Sequence, residues 1–91
     1  FNVVQNRNVS TSLFPNPATE ATSLIVRSDA EMQDVTVELR SLTGARIAIQ
    51  RPEPGIQTRV ELQLADLSEG VYLVVTTVDG YQTFDKLIVT H

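Results

Sequence analysis

The sequence predicts a single all-β domain, an antiparallel immunoglobulin-like β-sandwich of six to eight short strands. Three observations carry that expectation. Apolar residues recur at every second position in short runs, most clearly where Val35, Val37 and Leu39 alternate with Thr36, Glu38 and Arg40. Turn-forming clusters separate the runs: Pro15-Asn16-Pro17, Thr43-Gly44, Pro52-Glu53-Pro54-Gly55 and Asp79-Gly80. No stretch of the 91 residues carries the 3.6-residue periodicity of an amphipathic helix. A chain of this length supports one core, and buries roughly 60–65% of its extended-state surface.

Taken in order, residues 1–12 are polar and Asn-rich, with Val3, Val4 and Val9 scattered among them. They read as a linker that contributes at most a first strand, with the domain proper over residues 13–91. Asn8-Val9-Ser10 is formally a glycosylation sequon and reads as a chance occurrence. The prolines of Pro15-Asn16-Pro17 each lack an N–H and push the preceding residue toward extended geometry, which excludes helix. Residues 22–28 set Leu24 and Val26 against Ser23, Ile25 and Arg27, a strand with one face better covered. Residues 28–34 form an acidic loop. The strand at residues 35–40 turns at Thr43-Gly44 into Ile47-Ala48-Ile49. After the proline loop, Val60, Leu62 and Leu64 alternate with Glu61 and Gln63. Asp66-Leu67-Ser68-Glu69-Gly70 suits one helical turn, with Asp66 as N-cap and Gly70 in the left-handed closing position. Residues 71–77 are nearly continuously apolar or β-branched, as in a central strand covered on both faces. Asp79-Gly80 is a strong hairpin signal, and the return strand spans residues 82–90.

Composition excludes several functions. Seven basic against eleven acidic residues give a net charge of −4, and no Lys/Arg cluster offsets it, which disfavours nucleic acid. The chain has no cysteine, so neither disulfides nor thiolate metal sites are open to it. No apolar run approaches the roughly 20 residues of a spanning helix, so direct membrane insertion is not expected. Nucleophilic catalysis lacks its parts: the one histidine, His91, is terminal, where nothing in the sequence suggests a fixed orientation. Asp29, Glu31 and Asp34 share one loop but lack the glycine and spacing of an EF-hand, and read as solvated carboxylates. No phosphate-binding or other cofactor motif is present, and the expectation is a non-enzyme with neither cofactor nor metal.

Four features nonetheless stand in a specific order. The first is Phe14-Pro15-Asn16-Pro17, followed by Ala18-Thr19-Glu20. Next comes a strand ending in Leu42-Thr43-Gly44. Then follow Leu64, Leu67, Gly70 and Tyr72 at three-, three- and two-residue steps, and lastly Lys86-Leu87-Ile88-Val89. Together they resemble the type A C-terminal sorting domain of the type IX (Por) secretion system of Bacteroidetes, over residues 13–91. There are departures. The family often has Tyr-Asp before the glycine turn and Arg directly after it, where this chain has Arg40-Ser41 and Ala45-Arg46. It often ends in Lys or Arg, where this chain has His91.

The resemblance implies a folded address label at the C-terminus of an exported protein. Its implied partners are an outer-membrane translocon, a barrel-shaped shuttle protein and a surface signal peptidase, besides the covalently joined N-terminal cargo. The label is then cut off, within or near residues 1–12, and the cargo is released or joined to anionic lipopolysaccharide. The implied localisation is the periplasm in transit, then the cell surface or medium. The motif positions Pro15, Asn16, Pro17, Gly44, Leu67, Gly70, Tyr72, Lys86, Leu87, Ile88 and Val89 are the candidate recognition residues.

Each has a structural reading beside the functional one. Gly44 and Gly70 suit positive-φ turns, Tyr72 a buried ring with its hydroxyl bonded, and Pro15 and Pro17 a stiffened boundary that keeps the linker out of the sandwich. The final strand, as an edge with unpaired N–H and C=O groups, suits β-augmentation by a partner. Lys86, the chain's one lysine, serves either recognition or edge protection. Ile88 reads as core, and Leu87 and Val89 as core or docking stripe. A rival reading from another class is a fibronectin- or immunoglobulin-like spacer, or a carbohydrate-binding accessory module, of a secreted hydrolase. A sorting domain must come last in its protein, whereas a spacer need not.

Overall fold

The computed structural model describes residues 9–91. Asn8 of the sequon, Val3 and Val4 lie outside the described residues. Within them are seven strands and no helix: β1 (Val9–Phe14), β2 (Ala21–Ser28), β3 (Val35–Ser41), β4 (Arg46–Gln50), β5 (Gln57–Gln63), β6 (Gly70–Val78) and β7 (Tyr81–Val89). They form two antiparallel sheets, ordered β1-β2-β5 and β4-β3-β6-β7. That order corresponds to strands A-B-E and C′-C-F-G of an immunoglobulin-like sandwich.

The period-two pattern sets what faces inward. Leu24 and Val26 of β2 and Val60 and Leu62 of β5 meet Val35, Val37 and Leu39 of β3, Val74 and Val78 of β6, and Leu87 and Val89 of β7 in one core. The expectation for β7 therefore needs correcting. Leu87 and Val89 are both core, whereas Ile88 points the other way and is only half-buried. In a strand, adjacent residues face opposite sides, so Leu87 and Ile88 cannot both be core in a sheet covered on one face.

Four other differences have physical reasons. β1 starts at Val9, so residues 9–12 of the expected linker are strand; Val9 and Leu13 pack against the core with half-buried Thr11 between them. Thr11, a polar residue at the inward position between Val9 and Leu13, dilutes the alternation in the sequence. The acidic loop is anchored by its one apolar member: Met32 is 1% exposed within the core, and its amide donates to the Gly55 carbonyl. No three His, Asp or Glu side chains converge on a possible metal position among the described residues. Residues 64–67 make a tight turn, Leu67 N–H donating to the Leu64 carbonyl, and not a helical turn. Gly70 lies at φ 158°, a positive φ that side chains rarely adopt, as expected, but it opens β6 and does not close a helix.

The hairpin between β6 and β7 has Asp79 at φ 48° and Gly80 at φ 88°. Both central residues are thus left-handed, as in the I′ turn that matches strand twist. Asp79 does more than turn the chain. Its carboxylate accepts from the amides of Gln33 and Asp34, and its own amide donates to the Asp34 carbonyl. The hairpin tip is thereby tied to the loop before β3.

Candidate recognition site at the C-terminal strand

The motif positions spread over residues 15–89 of the sequence gather at one end of the sandwich. Their centre is the last half of β7, which is held from three directions.

Along its outer edge runs the proline segment. The Phe14–Pro15 and Asn16–Pro17 peptide bonds are both cis. Between the prolines, the Asn16 carboxamide donates through Nδ2 to the Lys86 carbonyl at 2.8 Å and accepts the Ile88 amide on Oδ1 at 3.0 Å. Two residues on, Ala18 forms a parallel bridge to Val89: its amide donates to the Ile88 carbonyl, and its carbonyl accepts from Thr90. A side-chain amide and a backbone amide thus occupy successive pairing positions of an edge strand. Thr22 fixes the segment from the sheet side by donating to the Pro15 carbonyl at 2.7 Å. Further up, Thr11 of β1 donates to the Asp85 carboxylate at 2.6 Å. Outward groups of the edge are therefore paired from the Lys86 carbonyl to the Thr90 amide. Pro15 and Pro17 do not keep the chain off the sandwich; they belong to the segment that seals it.

On the inner edge, Gly70 and Tyr72 of β6 pair with Val89 and Leu87. Tyr72 packs on the core, and its hydroxyl donates to the Ser68 carbonyl at 2.6 Å. A tyrosine at the start of the sixth strand bonding back into the preceding connection is the tyrosine corner of immunoglobulin-like folds. Leu67 packs beside it against the core. Gly44 sits in the β3–β4 turn at the same end, where Ser41 pairs with Tyr72. At φ 96° it holds a backbone geometry that a side chain would strain.

Beyond the strand, His91 is not loose. Its Nε2 donates to the Leu67 carbonyl at 2.6 Å, and its amide donates to the Glu69 carboxylate at 2.9 Å. Sequence reasoning missed this contact because neither Glu69 nor His91 lies in a periodic pattern; only their register places them together.

Residues 12–90 match the family model of the secretion system C-terminal sorting domain. The chain belongs to this family. The motif pieces that suggested the sorting domain are thus the pieces that build its terminal edge. No curated protein matches significantly. Among solved structures, the chain resembles dimeric latent PorU from Porphyromonas gingivalis, with a TM-score of 0.74 at 21% identity. The match covers 99% of this chain and 10% of that one, and at this identity it speaks to the fold alone. As a sorting domain of the Por system, the chain is a secretion signal and not an enzyme. Membership of this family implies a surface or secreted cargo and engagement with the secretion machinery.

Proposed function

We propose that the domain is read as a folded surface, and that its motif residues serve export by building that surface. The observation behind this is the clasp. Asn16, Ala18, Tyr72 and His91 spend their polar groups on the chain itself, leaving little for a receptor to bond. The reading extends to the fine partners: an outer-membrane translocon, a barrel shuttle protein, and a surface signal peptidase that removes the domain, with cargo released or joined to anionic lipopolysaccharide. Cleavage falls before Val9, because a cut within β1 would sever a strand paired along its whole length with β2.

The test is a reporter carrying a periplasmic signal, fused ahead of residues 1–91 and expressed in a Bacteroidetes host with and without the translocon. The expected result is translocon-dependent surface or medium reporter, shortened by the domain, with the released fragment beginning before Val9. Reporter left intact in the periplasm of the competent host would overturn the reading. A fragment starting inside β1 would overturn the cleavage assignment alone.

A further inference from the structure

The two outer faces of the sandwich differ in kind. Ser10, Ser12, Ser23, Arg27, Arg59 and Glu61 hold most outward positions of the three-stranded sheet, with Ile25 and the exposed Phe14 as its apolar members. The four-stranded sheet carries instead a band of cations between apolar rows. Cross-strand register aligns Arg46, Arg40, Leu73 and Lys86 in one row. The row above holds Ile49, Glu38, Val75 and Phe84, and the row below Val71 and Ile88. Val75 is 1% exposed yet lies outside the core cluster, and Phe84 is 57% exposed. Rows stand about 6.7 Å apart and strands about 4.8 Å, so the cation band is about 14 Å long.

Three cations against Glu38 give this face +2, against +1 from Arg27, Arg59 and Glu61 on the opposite face, while the chain as a whole carries −4. Glu38 is shared by Arg40 and Arg46. Lys86 has no ion-pair partner among the described residues.

We propose that this face is the docking surface for the export machinery, and that it takes a protein surface presenting carboxylates between apolar side chains. The proposal rests on the sorting reading above and names the partner's chemistry. A second copy fits poorly, because a two-fold contact through Leu73 sets cation row on cation row. A membrane fits poorly too: three cations on a flat sheet, one of them fully engaged with Glu38, provide little attraction. An acidic, apolar protein surface satisfies both the charge and the two apolar rows.

The experiment compares two charge reversals of equal size in the reporter fusion. Arg46→Glu with Lys86→Glu inverts the proposed face, and Arg27→Glu with Arg59→Glu alters the opposite one. Thermal midpoints of the 91-residue chain check folding, and the milder Arg46→Gln with Lys86→Gln covers the case in which the reversal unfolds it. The expected result is that export falls about tenfold or more for the first pair and stays near wild type for the second. A photo-crosslinker at position 84, and not one at position 12, should then join a translocon protein. Equal export by both folded pairs overturns the proposal while wild-type export upholds the sorting reading; failure of wild type itself fells both. Two further results would also overturn it. One is flotation of the chain with vesicles of equal parts phosphatidylcholine and phosphatidylglycerol, abolished by the reversal. The other is a dimer in sedimentation that the reversal dissolves.

Discussion

Asn16 meets the edge of β7 with both atoms of its carboxamide, accepting from Ile88 and donating to Lys86. Only asparagine offers donor and acceptor at that reach. Asn16→Ala should cost about 1–2 kcal/mol for two exposed bonds. Asn16→Asp should cost more at neutral pH, because it turns a second acceptor toward the Lys86 carbonyl. Urea unfolding reads the cost, and faster hydrogen exchange at the Ile88 amide locates it. Thr76 is the opposite case. Its hydroxyl and that of Thr83, paired across β6 and β7, are buried without a partner. Thr76→Val removes an unpaired hydroxyl at nearly constant volume and should stabilise by about 1 kcal/mol, read as a rise in thermal midpoint of roughly 4–8 °C. Neither role was legible from the sequence. A threonine in a β-branched run looks like any strand residue, and Asn16 between prolines reads as a turn until its distant partner is known.

At the scale of elements, the sequence revealed what is local. The alternation of β3 and β5, the Asp79-Gly80 turn and the Gly44 turn follow from neighbours along the chain. What it concealed depends on register between distant segments: the inward parity of β7, the seat of Met32, and the tie from Asp79 to Gln33 and Asp34. Met32 illustrates the difference. Surrounded by Glu31, Gln33 and Asp34, it looks like part of a solvated loop, yet it closes the core at that end. Met32→Ala should cost about 2–5 kcal/mol. In a sandwich this small that is a large share of the whole stability, so its urea midpoint should fall steeply. Gly80→Ala should cost a milder ~1 kcal/mol, since alanine resists φ 88°.

At the scale of the molecule, the family motif is a closure. Its first piece lies along the outer edge of the last strand, its third piece pairs with the inner edge, and His91, two residues past the strand, bonds back to Leu67. The same arrangement answers the hazard of an exposed edge strand, because half of β7 is sealed by the chain before any partner arrives. The candidate residues were therefore legible as a set from their order, but their common location was not, because it exists only after the two sheets have formed.

The central claim is that the clasp residues Asn16, Ala18, Tyr72 and His91 act through the fold. The most direct measurement is export of the reporter fusion for Asn16→Ala alone and for Asn16→Ala combined with Thr76→Val, alongside the unfolding free energy of each. Thr76 is fully buried and its pair with Thr83 lies three register positions from Lys86, the nearest residue Asn16 bonds, so the second change should add stability nearly independently without altering the surface. The account predicts that export falls with stability in the single variant and recovers with it in the double. Stability restored while export stays lost would contradict it, and would make Asn16 itself something the machinery reads.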